Sequence, residues 1–156
     1  MTMNENNEKE LQVTALKNGT VIDHIPSEYL FKVVFLLQLE RVNNQITIGN
    51  NLNSKLMGSK GIIKVSDRYF SEEELSRIAL IAPSAKINII KDFEVIEKKV
   101  LSLPDSFSGI EKCPNPKCIT NNEPMKNRFE VISKNPIVLK CPYCEKEIQQ
   151  ENIQLL

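Results

Sequence analysis

The chain has 156 residues, room for one ordinary domain or two small ones. Twenty Lys plus Arg balance twenty Asp plus Glu, a formal net charge of +0, with 41% hydrophobic and 26% charged residues, which is the make-up of a globular protein and not of a generic polyanion binder. No run approaches the ~18 uncharged apolar residues of a membrane span, since Val33–Leu39 is broken by Gln38 and flanked by Lys32 and Glu40.

Residues 1–10 (MTMNENNEKE) are polar and aperiodic and read as a frayed tail. They lack the basic-then-apolar layout of an export signal, so the expected location is cytoplasmic. LQVTALK and TVIDHI flank Asn18-Gly19, a dipeptide that tolerates positive φ, so residues 11–25 read as a hairpin or as a strand after a turn, closed by Pro26. From Ser27 to Glu40, Leu30, Val33, Val34 and Leu37 follow the i, i+3, i+4, i+7 spacing of a helix, with Ser27 as its N-cap. Gln45–Gly49 and Gly61–Ser66 read as β-branched strands separated by an Asn-, Ser- and Gly-rich loop. Ser71 followed by Glu74 is a capping box, predicting a helix to about Ala82 that Pro83 stops. Lys86–Lys91 and Phe93–Glu97 alternate around Lys91-Asp92 as a further hairpin.

The order is βαββαβ with an added strand, so the expected class is α+β: a ferredoxin-like sandwich in which two helices cover one face of an antiparallel sheet. Residues 11–99 form that domain, the Pro-, Gly- and Ser-containing residues 100–111 a connection, and residues 112–156 a small all-β domain. The last has too little apolar sequence to be stable unaided and needs a staple.

All four cysteines lie there, as Cys113-x4-Cys118 and, after 22 residues, Cys141-x2-Cys144. Two thiolate pairs converging from separate turns suit tetrahedral zinc, and Pro114, Pro116 and Pro142 preset the ligand turns. Disulfides fit poorly with a cytosolic chain. Four cysteine ligands leave no open position for water, so the metal is structural rather than catalytic.

Such a module also raises nucleic-acid binding, in the form of a transcription-type zinc-ribbon protein with a ligand-sensing domain. Against it, residues 105–156 hold seven basic side chains and seven acidic ones, without aromatic interleaving. Protein docking is the better reading. Catalysis is not visible either: His24 is the sole histidine, and no nucleophile elbow or Walker-type loop occurs. Asp23 and His24, adjacent on a strand, are expected on opposite faces. Lys60 and Lys64 share one face of a strand and, with Lys98 and Lys99, read either as solvated gatekeepers or, together with His24, as a triphosphate site.

The segments LQVTALKNGTVIDHIP (11–26), ITIGNNLNS (46–54), MGSKGIIKV (57–65), IALIAP (78–83), CPNPKCI (113–119) and CPYCEKE (141–147) carry a resemblance to the regulatory chains of aspartate carbamoyltransferase. That resemblance covers nearly the whole chain. It implies a non-catalytic subunit with an N-terminal allosteric domain and a C-terminal zinc domain that docks on the catalytic chain. Two such chains pair through their allosteric domains, and three dimers link two catalytic trimers in feedback control of pyrimidine biosynthesis. CTP is the implied inhibitor and ATP the competing activator, with UTP acting alongside CTP in some members.

Carried onto this sequence, the family's nucleotide site comprises Val13, Ala15 and Leu16 beside the base, and Asp23 and His24 near ribose and phosphates. Lys60 and Lys64 contact base and ribose, Asn88, Ile90, Phe93 and Val95 line the pocket, and Lys98 reaches the triphosphate. Thr14 and Phe93 depart from the family's acidic residue and Tyr, which bears on base preference. The implied zinc ligands are Cys113, Cys118, Cys141 and Cys144, and Asn115, Tyr143, Glu145 and Lys146 on the ligand loops face the catalytic chain.

Overall fold

The computed structural model describes residues 16–108 and 112–153. The tail reading of residues 1–10, and the part of the proposed hairpin in residues 11–15, lie outside the described residues. The chain divides into two compact units, residues 1–101 and 102–156.

In the first unit, strands β1 (Gly19–Pro26), β2 (Ile46–Ser54), β3 (Gly58–Ser66), β4 (Lys86–Lys91) and β5 (Glu94–Val100) form one sheet in the order β2-β3-β1-β4-β5. Every pairing is antiparallel. With helices α1 (Leu30–Leu36) and α2 (Glu72–Ile81) in the two crossovers, this is the expected βαββαβ arrangement, with β5 added beyond β4.

Ile22, Ile63 and Ile87 are fully buried in the sheet, and Leu30, Val33 and Ile78 in the helices. Truncating any of these large side chains to Ala costs roughly 2–5 kcal/mol. Gly61 lets α1 sit close to β3: a Cβ there would lie 2.6 Å from Leu30 Cδ1. Gly61, Ile63 and Val65 therefore face the helices, and the alternation of β3 turns Lys60, Ile62 and Lys64 to the opposite, helix-free face.

Three local details differ from the sequence reading. Residues 27–40 do not form one helix: a 3-10 turn (Ser27–Tyr29) precedes α1, and a second (Leu39–Arg41) follows after Gln38 enters the left-handed region at φ 53°. Ser27 caps nothing; its hydroxyl pairs with that of Ser59 at 3.0 Å. The Asn-rich stretch between β2 and β3 is not a loop, because pairing continues from Leu52↔Lys60 to Ser54↔Gly58 past a bulge where Asn51 takes φ 56°. The capping box is present, with Glu74 N–H donating to Ser71 Oγ and Ser71 N–H to Glu74 Oε2, both at 3.2 Å.

Gly19 opens β1 at φ +141°, and a Cβ there would fall onto the Val65 carbonyl oxygen. Gly19→Ala is expected to destabilise this unit by about 3 kcal/mol or more, from backbone strain and overpacking of similar size. Denaturant unfolding followed through amide NMR signals of β1 and β3 measures it, and a loss under 1 kcal/mol would contradict the steric account.

The second unit is a four-stranded antiparallel sheet in the order β6-β7-β8-β9, from β6 (Ser106–Ser108), β7 (Arg128–Lys134), β8 (Ile137–Lys140) and β9 (Glu147–Gln149). An α-helical turn, α3 (Ile119–Asn122), and a 3-10 turn (Gln150–Asn152) accompany the strands, so the unit is not purely β as expected. Strand β6 falls inside the stretch read as connection, where Phe107 pairs with Phe129 across the ladder. These two residues with Ile137, Leu139 and Ile148 make a core of only a few side chains.

Candidate functional site: a sheet face and a four-thiol cluster

Antiparallel partners share a face, so the register extends the helix-free surface outward from Lys60, Ile62 and Lys64. Val21 lies opposite Lys64 and Asn88, Gly19 opposite Ile90, Asn88 opposite Lys98, and Ile90 opposite Val95. Val21, Ile62 and Ile90 are buried as one apolar cluster, with Leu16, Leu52 and Val95 packed against it. The result is an apolar floor edged by the amide of Asn88 and the ammonium groups of Lys60, Lys64 and Lys98.

Asp23 follows Val21 onto this face by ordinary alternation, whereas His24 joins it by breaking the strand rule. An extra residue in β1 shifts its register against β3 between Ile22 and Ile25, and His24 sits in the bulge at φ 59°. The expectation of opposite faces is thereby corrected, because alternation fails at a bulge. Asp23 Oδ1 accepts the His24 backbone N–H at 2.6 Å and lies 3.5 Å from His24 Nδ1. The same oxygen pairs with Lys60 Nζ at 2.9 Å. His24 Nδ1 is buried and makes no hydrogen bond among the described residues, although Asp23 Oδ1 lies 3.5 Å away.

Burial holds the imidazole below its ordinary 6.5; Asp23 pulls upward, and Lys60 and Lys86 push further down. Burial likewise lowers the Lys64 ammonium, against the pull of Asp23. A histidine depressed in the folded state binds its proton more readily when unfolded. Stability of this unit should therefore fall as pH drops below about 6.5 and be level above it. Melting temperatures between pH 5 and 8 test this, and a His24→Gln variant should lose the slope.

Of the sequence-assigned positions, Leu16, Asp23, His24, Lys60, Lys64, Asn88, Ile90, Val95 and Lys98 gather at this face. Phe93 sits beside it in the β4–β5 turn at φ 66°, half exposed, its N–H donating to the Lys17 carbonyl at 2.9 Å. Val13 and Ala15 lie outside the described residues. Sequence reasoning missed Val21, Leu52 and Ile62 as the floor and Lys86 opposite Asp23. Spacing by two from Asn88 was the available signal for Lys86.

In the second unit the four Sγ atoms lie within 4.8 Å of one another, with Cys113–Cys144 at 3.6 Å and Cys118–Cys141 at 3.7 Å. Disulfides require about 2.05 Å. Sulfurs placed about 2.3 Å from a central ion at tetrahedral angles are about 3.8 Å apart, so the donor set and its spacing fit a four-thiolate metal.

The loop after Cys141 is tied by backbone: Cys141 N–H donates to Lys146 O at 3.0 Å, and Glu145 N–H donates to Cys141 O at 2.7 Å with Glu145 at φ 63°. Burial pushes the Cys113 thiol up to about 12 and raises Cys141. At Cys144 burial also acts upward, but hydrogen bonds from the Lys146 backbone, the Asn115 side chain and two neighbouring cysteines bring it down to about 7. At neutral pH a bare site keeps protons that a binding cation must displace. Tyr143 is half exposed, whereas Asn115 is engaged within the cluster.

One unit with a polar-edged apolar sheet face, and another holding a four-thiol cluster, make up the build of a regulatory subunit, as comparison with known proteins shows. The family model described as aspartate carbamoyltransferase regulatory chain, allosteric domain, matches residues 11–102, and the one for its metal binding domain matches residues 105–154. Aspartate carbamoyltransferase regulatory chains from Parabacteroides distasonis and Phocaeicola vulgatus are 58% and 60% identical over 97% and 96% of this chain, and over 98% and 97% of their own. The regulatory chain of Thermococcus gammatolerans is 47% identical over 92% of this chain and 96% of its own. The chain belongs to the aspartate carbamoyltransferase regulatory chain family. It is thus a non-catalytic subunit with an allosteric and a metal-binding domain, and its partner is the catalytic chain.

Proposed function

We propose that this chain senses nucleoside triphosphates on the helix-free sheet face, with CTP as inhibitor, ATP as competing activator and UTP acting alongside CTP. The observation that carries the reading is the convergence of Lys60, Lys64, Lys98, Asn88 and His24 around the Val21–Ile62–Ile90 floor. The apolar floor takes the flat face of a base, and amide and ammonium groups at its edge select base and ribose. Lys98 and His24 take the phosphates by charge-assisted hydrogen bonds, which need no Gly-rich loop. The buried His24 Nδ1, which makes no hydrogen bond among the described residues, supports this assignment.

The metal in the proposal is zinc, one per chain, held by Cys113, Cys118, Cys141 and Cys144. Its chemistry when bound is structural, because four thiolates close the shell. The first unit is the nucleotide domain and the second, with β6 included, the docking domain. Regulatory chains pair as dimers, and three dimers join two catalytic trimers in the cytoplasm, giving feedback control of pyrimidine biosynthesis.

A nucleotide shifts the quaternary equilibrium only by its differential affinity for the two assemblies, so CTP binds the tense form better and ATP the relaxed one. The test mixes zinc-loaded chain with its own catalytic trimers and records aspartate saturation with and without each nucleotide. Assembly with a shifted curve supports the reading. Assembly without a shift reduces the chain to a linker, and no assembly reopens the zinc-ribbon alternative, which a salt-dependent DNA shift would then support.

A further inference from the structure

The two halves of the four-thiol cluster are built differently. The Cys141–Cys144 loop is tied by its own backbone. The Cys113–Cys118 loop contains Pro114 and Pro116, which remove two N–H donors and limit that solution. One backbone tie remains, the Cys118 N–H donating to the Asn115 carbonyl at 3.0 Å, and the loop's carbonyl groups are further gathered by side chains from the turn that follows. Asn121 Nδ2 donates to the carbonyls of Cys113 at 2.9 Å and Asn115 at 2.8 Å. Asn122 Nδ2 donates to those of Cys118 at 2.9 Å and Pro116 at 3.3 Å. Just before them in the chain, the buried Thr120 places Oγ1 3.2 Å from Cys118 Sγ.

We propose that Thr120, Asn121 and Asn122 are metal-positioning residues: the asparagines fix Cys113 and Cys118 in ligating geometry, and the Thr120 hydroxyl tunes the Cys118 sulfur. The inference rests on the reading of the cysteines as a metal site. A metal-bound cysteine sulfur carries no proton, so the hydroxyl is the donor, and it draws charge from the sulfur. Outer partners of this kind set ligand orientation and metal retention, typically by about 10–100-fold in affinity.

The experiment uses the full chain, loaded with Zn2+ for release kinetics into a chelator and with Co2+ for absorption spectroscopy. Thr120→Val keeps the volume and removes the hydroxyl. It is expected to release metal about 10-fold faster and to shift the thiolate-to-cobalt charge-transfer band, with Thr120→Ser restoring both. Asn121→Ala is expected to speed release while leaving the band in place, and it supplies the release comparison should Thr120→Val not fold. A Thr120→Val chain with unchanged release and band overturns the tuning role, and unchanged release in Asn121→Ala overturns the clamp. One bound metal per wild-type chain separates these failures from failure of the site itself; a wild-type chain that takes up no metal overturns both.

Discussion

Stripping the metal from the four-thiol cluster is expected to unfold residues 102–156 while the five-stranded unit keeps its sheet. The strands β6 and β9 have three residues each, and five apolar side chains make up most of the core, so burial alone offers little against the entropy of ordering. Structural zinc sites in small domains contribute roughly 10–16 kcal/mol at pH 7, more than such a unit can lose and stay folded. Amide NMR during chelation checks this: signals of β7 and β8 should collapse together while those of β1 and β3 persist. The stripped chain should also fail to join the catalytic chain. Retention of the β7–β8 signals would show that the sheet stands by its own packing. Cys118→Ala should reproduce the loss, because a buried ligand cannot be replaced by water from outside the cluster.

The second large effect concerns Lys98. Lys98→Ala is expected to weaken CTP binding about 10- to 100-fold, the equivalent of one charge-assisted hydrogen bond of about 1.5–3 kcal/mol. Lys98 is exposed at the outer strand of the sheet, opposite Asn88, so its removal should leave folding intact. Calorimetric titration of the isolated regulatory chain, paired with aspartate saturation of the assembly, reads both affinity and coupling. A variant with full CTP response would remove Lys98 from the phosphate site.

Much of this architecture was legible from alternation and punctuation. Ser71 and Glu74 announced α2, the β-branched strands gave the βαββαβ order, and the paired cysteines marked the metal site from spacing alone. What period-2 reasoning could not see are the irregularities. The bulge at Asp23–His24 depends on how β1 registers against β3, a property of two strands far apart in sequence. It is this bulge that places a carboxylate, an imidazole and Lys60 together. The helix predicted over 27–40 fails at Gln38 for a related reason: local propensity yields where Leu37 and Leu39 both have to be buried. The side-chain ties of Asn121 and Asn122 were hidden because asparagine after a cysteine turn reads as loop composition.

The sheet order also sets a constraint on how the chain can be made. β1 is the first strand of the sheet along the chain, yet its two hydrogen-bonding edges belong to β3 at residues 58–66 and β4 at residues 86–91. During synthesis this largely buried strand therefore emerges long before its neighbours and waits unpaired, with Val21, Ile22 and Ile25 exposed to the solvent. Non-local pairing of this kind folds slowly and leaves sticky intermediates. Within this sheet the β2–β3 and β4–β5 hairpins are the pieces that can form from adjacent sequence. They are the natural nuclei between which β1 docks, pairing with β3 on one edge and β4 on the other.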